Sequence, residues 1–146
     1  MSLFPSIAIA GTGINTDQTW LNAIASNVAN VNDVVSPNQQ VYQPQEIVVA
    51  PITSSPIQMP GVANTTNSGL GEGVGVVGVT TYSPNGILVS DPGSPLANAQ
   101  GLVRQTGVNL GQELGNLVNA QSSYQANASV ITHAKSAYLS ILSIGA

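Results

Sequence analysis

The sequence predicts a mainly α fold with a small β insert. An N-terminal and a C-terminal helix pair as a coiled coil, with a short β-rich segment between them. Three observations predict it. From about Val108 to Ser143, seam-forming residues recur at alternating steps of four and three; a shorter stripe with a seven-residue period runs from Ile7 to Val31; and β-branched residues alternate with Pro- and Gly-rich turns in between. The chain divides accordingly into an N-terminal helix of the coiled-coil core (1–33), a β-rich insert with loops (34–106) and a long C-terminal helix of that core (107–146).

The C-terminal ladder reads Leu110, Leu114, Leu117, Gln121, Tyr124, Ala128, Ile131, Lys135, Tyr138 and Leu142. This is the spacing of a coiled-coil seam. No proline follows Pro95. At 1.5 Å per residue the helix runs ~50 Å, too far for so small a domain to cover, so its stripe needs a second stretch of this chain or a neighbouring copy. Asn109 is placed to cap the helix, and Glu113, in an early turn, suits the positive end of its dipole. Gln121 and Lys135 sit on the ladder itself. Polar groups there either fix register or oligomer state, or face a wet edge as the stripe drifts with the 3.6-residue turn. Val118, Val130 and Leu139 lie off the ladder and are suited to contacts with adjacent copies.

In the N-terminal stripe Ile7, Ile14, Leu21 and Val28 recur every seven residues; Ala10, Ile24 and Val31 stand three further on, and Asp17 is the polar break. Gly11 and Gly13 weaken its first turns by ~1 kcal/mol each relative to Ala, so packing has to order them. The stripe reads either as an ordinary amphipathic helix on a small core or as the partner of the C-terminal helix. The shared period and the placement at opposite ends favour the partner. Asn27, Asn30, Asn32 and Asp33 crowd its end, where such side chains bond the backbone and stop helices.

After a loop from Val34 to Gln40, the stretch Gln40–Ala50 reads as a strand interrupted or at an edge, because Pro44 lies within it. Pro51 to Gly71 is loop or linker. Gly73 to Tyr82 returns to β-branched alternation. Ser83-Pro84-Asn85-Gly86 is a turn, Ile87-Leu88-Val89 a strand, Asp91-Pro92-Gly93-Ser94-Pro95 a second turn, and Leu102-Val103 a brief strand.

Composition narrows the function. Charged residues are 5% of the chain, against ~25% in ordinary soluble domains. Such a surface is either buried against neighbours or adapted to low pH. Arg104 and Lys135 are the only bases, so no patch exists for nucleic acid. There is no cysteine, hence no disulfide or thiolate site. No run of ~18 apolar residues predicts a membrane span, and the N-terminus lacks the basic and apolar regions of a cleaved secretory signal. Gly73-Val74-Gly75-Val76-Val77-Gly78 matches a dinucleotide-binding string, but a loop precedes it and Pro84 forbids the helix that must follow. His133 is the sole histidine and has no carboxylate near it in sequence, which leaves no acid–base pair, triad or metal set. No catalytic residue, cofactor, metal or small-molecule substrate is expected.

The two ends together resemble one family. Leu21-Asn22-Ala23-Ile24-Ala25-Ser26-Asn27-Val28-Ala29-Asn30 resembles the N-terminal signature of bacterial flagellar rod and hook proteins. Val108-Asn109-Leu110-Gly111-Gln112-Glu113-Leu114 and Ala120-Gln121-Ser122-Ser123-Tyr124-Gln125-Ala126-Asn127 resemble the C-terminal helix of the same group. Its motif residues here are Ser26, Asn27, Asn30, Glu113, Gln125 and Asn127. Asp91 to Gly101, the later Ala134-Lys135-Ser136 and the short insert are similar to the proximal rod members. The chain departs from the group at Gln105-Thr106-Gly107, where a Pro-Asn pair is usual, and over Thr53 to Ser68. The resemblance implies a structural subunit that passes unfolded through the flagellar type III export apparatus without signal cleavage. It then assembles helically with copies of itself and other rod proteins, in the periplasmic part of the basal body, through Ile7, Ile14, Leu21, Ile24, Val28 and the C-terminal ladder. Another rod or hook axial protein, or a secreted coiled-coil adhesin or adaptor, is the alternative.

Overall fold

The computed structural model describes residues 4–52 and 71–144. Two helices, α1 (Phe4–Ala29) and α2 (Leu110–Ile144), flank five strands: β1 (Val34–Val35), β2 (Gln45–Pro51), β3 (Val74–Thr81), β4 (Ile87–Ser90) and β5 (Leu102–Gln105). Most of the linker read between Pro51 and Gly71, including the departure over Thr53 to Ser68, lies outside the described residues.

The helices pack against each other antiparallel. Asn27 meets Glu113, and ten residues earlier on α1, Asp17 meets Ser123, ten residues later on α2. At this register Phe4 comes level with Ser136, so the last two turns of α2 extend past the described start of α1. Among the described helices and strands α2 packs on α1 alone, whereas α1 also carries β2 and β3. Four of the seven buried apolar residues among those described are alanines (Ala10, Ala23, Ala120 and Ala134), so small side chains alternate with larger ones where the helices approach.

The ladder drawn from apolar residues and the face that meets α1 differ in a regular way. The inner line of α2 is Glu113, Leu117, Ala120, Tyr124, Asn127, Ile131 and Ala134, all buried or half-buried. Leu117, Tyr124 and Ile131 are common to both lines. At the alternate rungs the inner residue precedes the ladder residue by one, a rotation of ~100°. Leu110, Leu114, Gln121, Lys135, Tyr138 and Leu142 are exposed, and Ala128 is half-buried. On α1 the inner line is Ala10, Gly13, Asp17, Trp20, Ile24 and Asn27, while Ile7, Ile14, Leu21 and Val28 are half-buried beside it. The physical cause is close approach. A Cβ on Gly13 would lie 2.5 Å from the Asn127 amide nitrogen, so only glycine admits that side chain to the seam.

The strands form two small antiparallel sheets. β2 and β3 make a ribbon in which Gln45 pairs with Thr81 and Pro51 with Val74. Val48 opposes Gly78 and Val49 opposes Val76, leaving Val77 as a bulged extra residue. β5 is the centre of the other sheet, between β1 and β4. The stretch read as loop from Val34 thus contributes a two-residue strand. Gln40 to Pro44, read as strand, has no ladder pairing, and Pro44 lacks the N–H a ladder would need. In the turn into β4, Gly86 takes φ +59° with its Cα facing the Gln105 carbonyl, a place that a side chain could not share. The glycine string that matches a nucleotide motif is the start of β3, pinned to α1 because the Thr12 hydroxyl accepts the Val74 N–H at 3.1 Å.

Gly11 and Gly13 differ only in what faces them, since nothing lies within 4 Å of a Cβ at Gly11. Gly11→Ala is expected to stabilise the chain by up to ~1 kcal/mol through helix propensity. Gly13→Ala is expected to be net destabilising, because ~1–3 kcal/mol of overpacking outweighs the same gain. Thermal melts followed by helical circular dichroism check both, and equal shifts of the same sign would refute the close approach.

Candidate functional site

Where the two ends of the chain meet, the contact is made of polar groups. Asn27 is 1% exposed and Glu113 is 2% exposed. The Asn27 amide donates to Glu113 Oε1 at 3.0 Å and to the Gln45 carbonyl at 2.9 Å, and its oxygen accepts the Gln45 N–H at 2.8 Å and the Tyr42 hydroxyl at 2.9 Å. Two donors and two acceptor positions are thus all used. Tyr82 donates its hydroxyl to the same Glu113 oxygen at 2.7 Å. With the Tyr42 proton committed to Asn27, the Ser26 hydroxyl donates to Tyr42 at 2.9 Å. Asp33 continues the network, accepting the Tyr42 N–H at 2.8 Å, and Thr106 donates its hydroxyl to the Tyr42 carbonyl at 3.1 Å. One knot therefore ties α1, α2, the β2–β3 ribbon and the three-stranded sheet.

A second clamp lies about three turns along the helices. Asp17, 5% exposed, accepts from the Ser123 hydroxyl at 3.1 Å and the Asn127 amide at 3.0 Å. Asn30 donates its amide to the Ser26 carbonyl at 2.8 Å near the end of α1. Asn109 accepts the Gln112 N–H at 3.2 Å and so caps α2. Of the motif residues, Ser26, Asn27, Asn30, Glu113 and Asn127 are all in this hydrogen bonding, while Gln125 is exposed. By sequence alone Asn27 reads as a helix stop and Glu113 as a dipole partner, and the structure seals both inside. Tyr42 and Tyr82 carry no local signal of their part in the knot, whereas Asp17 shows itself as the polar break in an apolar stripe.

Between α1, α2 and the ribbon an open groove of about 370 Å³ is lined by Trp20, Ile24, Ile47 and the acids Asp17, Glu46 and Glu113. No group of three His, Cys, Asp or Glu able to hold a metal ion is found among the described residues. His133 is exposed on α2. The outer surface is apolar in several places: Leu110 and Leu114 near the start of α2, Val118 and Val130 along it, and Leu139, Ile141 and Leu142 near its end are each at least two-fifths exposed. This arrangement holds two helix ends in register and presents aliphatic surface outward.

Relatives along nearly the full length give this geometry its setting. The flagellar basal-body rod protein FlgC of Borreliella burgdorferi is 32% identical over 99% of this chain and 98% of its own length. The FlgC proteins of Yersinia enterocolitica and Salmonella typhimurium are each 34% identical over 99% of both chains. The chain belongs to the FlgC family of flagellar basal-body rod proteins. A family model described as flagellar basal body rod FlgEFG protein C-terminal matches residues 99–144, which takes in β5 and the whole of α2. In this chain the knot and the clamp both join α1 to α2.

Asn27→Ala should cost roughly 3 kcal/mol or more, since it orphans the Gln45 N–H and the Tyr42 hydroxyl and removes a donor from the buried Glu113. Glu113→Gln, whose amide oxygen still accepts from Asn27 and Tyr82, should cost far less than Glu113→Ala. Denaturant unfolding of the three variants checks this ranking. Burial, then the hydrogen bond to Glu113 and the nearby negative charges of Glu113 and Glu46, push the Tyr82 phenol well above its ordinary value of 10.0. The folded chain keeps it protonated where the unfolded chain would ionise it. Its contribution is therefore complete below pH ~10 and is lost as pH rises above that. Tyr82→Phe should flatten the alkaline loss of stability, measured as melting temperature against pH.

Proposed function

We propose that the chain is a structural subunit of the bacterial flagellar rod, in its proximal part, assembling helically through its terminal helices. Full-length similarity to FlgC proteins supports this reading, and one observation carries it physically: two terminal helices held in fixed register, with large aliphatic side chains left on the outside of α2. Each such residue, already about half covered, gains ~1 kcal/mol when a neighbour covers the rest. The α1–α2 pair acts as a coiled-coil layer, with Leu117, Tyr124 and Ile131 facing α1. Leu110, Leu114, Val118 and Leu142 meet other copies or other rod proteins. In that setting Gln121, exposed, sets register between subunits rather than within one.

The role is mechanical. Interlocked helices pass torque along the basal body, and no residue acts as a catalyst or binds a cofactor. Export through the flagellar type III apparatus and a place in the periplasmic rod complete the reading.

Two adjacent substitutions test it. Leu117→Asp introduces a carboxylate at a half-buried position facing α1. It should destabilise the chain by ~2–4 kcal/mol and abolish rod assembly and motility while expression continues. Val118→Asp alters a side chain that is 64% exposed, so the isolated chain should melt as before and still fail to assemble. Normal motility with both variants would remove the helical-assembly reading.

A further inference from the structure

The few charges of this chain are distributed in a way that picks out two complementary surfaces. Three of the six acids, Asp17, Glu46 and Glu113, line the groove beside Trp20, Ile24 and Ile47. Asp17 and Glu113 are taken up by the clamp and the knot, while Glu46 is exposed. Of the two bases, Arg104 donates to the backbone carbonyls of Pro37 and Asn85 and is half-buried. Lys135 is the exposed cation, on the far half of α2.

Lys135 does not stand alone. Tyr138, Leu139 and Leu142 follow it at steps of three, four and seven, which places all four on one stripe of the helix. The three apolar members are 43%, 53% and 52% exposed. The stripe runs onto the part of α2 that extends past the described start of α1. A cation leading an apolar stripe matches an apolar groove that carries acids, in charge and in polarity.

We propose that the groove receives the Lys135–Leu142 stripe of a second copy of the chain. The Lys135 ammonium faces Glu46, and Leu139 and Leu142 lie against the wall made by Trp20 and Ile47. At about 370 Å³ the groove is at the small end of ligand pockets, which suits insertion of side chains from a helix that lies across it. Groove and stripe are separate surfaces, ~30 Å apart along α2 at 1.5 Å per residue. We take the contact as head to tail, so that its repetition makes an open stack or helix; a two-fold pair would instead seat both stripes in both grooves at once and would stop at the dimer. The proposal rests on the reading that the chain assembles with copies of itself. It adds which surfaces meet, in which direction, and why Lys135 belongs between subunits rather than inside one.

Charge reversal tests it on the purified full chain, with association followed by sedimentation velocity at low salt. Glu46→Lys and Lys135→Glu should each weaken self-association by about tenfold or more, and the double variant should recover most of the loss. Association of the unaltered chain should also fall as salt is raised toward ~1 M. Unchanged thermal melts show that neither reversal acts through folding. The chain has no native cysteine, so cross-linking gives a second, direct measurement. A mixture of Glu46→Cys and Lys135→Cys chains should form disulfide dimers much faster than either variant alone. Single reversals that associate normally, a double variant no better than the singles, or an unaltered chain that stays monomeric would each overturn the contact. If Val118→Asp stops assembly while the reversals do not, the rod-subunit reading stands and this pairing of surfaces is wrong.

Discussion

The contact between Asn27 and Glu113, 86 residues apart in sequence, is the constraint on which the rest of the structure depends. A buried carboxylate and a buried amide are costly unless every donor and acceptor is used. Here Asn27 uses its full capacity, and Glu113 receives Tyr82 as well as Asn27. Helices that approach through Ala and Gly at heptad-like spacing have little in their apolar contacts to forbid a slip by one turn. A slip here would strand the Asn27 amide, the Glu113 carboxylate and the Gln45 backbone pair together. The polar knot thus sets register, and the alanine faces supply close packing that is nearly the same at several registers. This is the role in which buried polar groups in helical pairs are best understood.

Register set at one end propagates along α1 and α2. It brings Asp17 to Ser123 and Asn127, and it brings Gly13 under Asn127, where only a hydrogen atom fits. It also decides which part of α2 has a neighbour. With Phe4 level with Ser136, Leu139, Ile141 and Leu142 lie past the described start of α1, and they are exposed. The same contact that closes the fold therefore also sets how far α2 reaches past the described part of α1.

The two helices were legible because their periodicity extends over many turns, and β2 to β5 because β-branched runs are cut by Pro and Gly; β1, two residues long, carries no such run and read as loop. Three things were less legible, each for a physical reason. The inner face of α2 is made by Glu113, Ala120, Asn127 and Ala134, small or polar residues that a hydrophobic pattern passes over, so the ladder of larger side chains falls one residue to the side on alternate rungs. Asn27 has the local signature of a helix stop, and nothing nearby in sequence announces that its amide will be met by Gln45, Tyr42 and Glu113. Tyr82 follows β3 as an ordinary strand-end aromatic, and only the tertiary fold carries its hydroxyl to Glu113. Asp17 was visible as an interruption, but its donors are more than a hundred residues away.

The sparse charge acquires a meaning once each ionised group is placed. Asp17, Asp33, Glu113 and Arg104 are all engaged in hydrogen bonds inside the chain, leaving Glu46, Asp91 and Lys135 among the exposed charges of a surface that also bears large aliphatic side chains. For an isolated protein such a surface favours nonspecific association, because little repulsion keeps copies apart. For a subunit of an assembly the same poverty is useful. Aliphatic contacts supply most of the free energy and discriminate poorly between neighbours, so orientation falls to the few charges that remain. A single exposed lysine at one end of the helix pair and an exposed glutamate on a groove at the other give the molecule a direction. With so few charges elsewhere to compete, one such pair is enough to distinguish head-to-tail packing from its reverse.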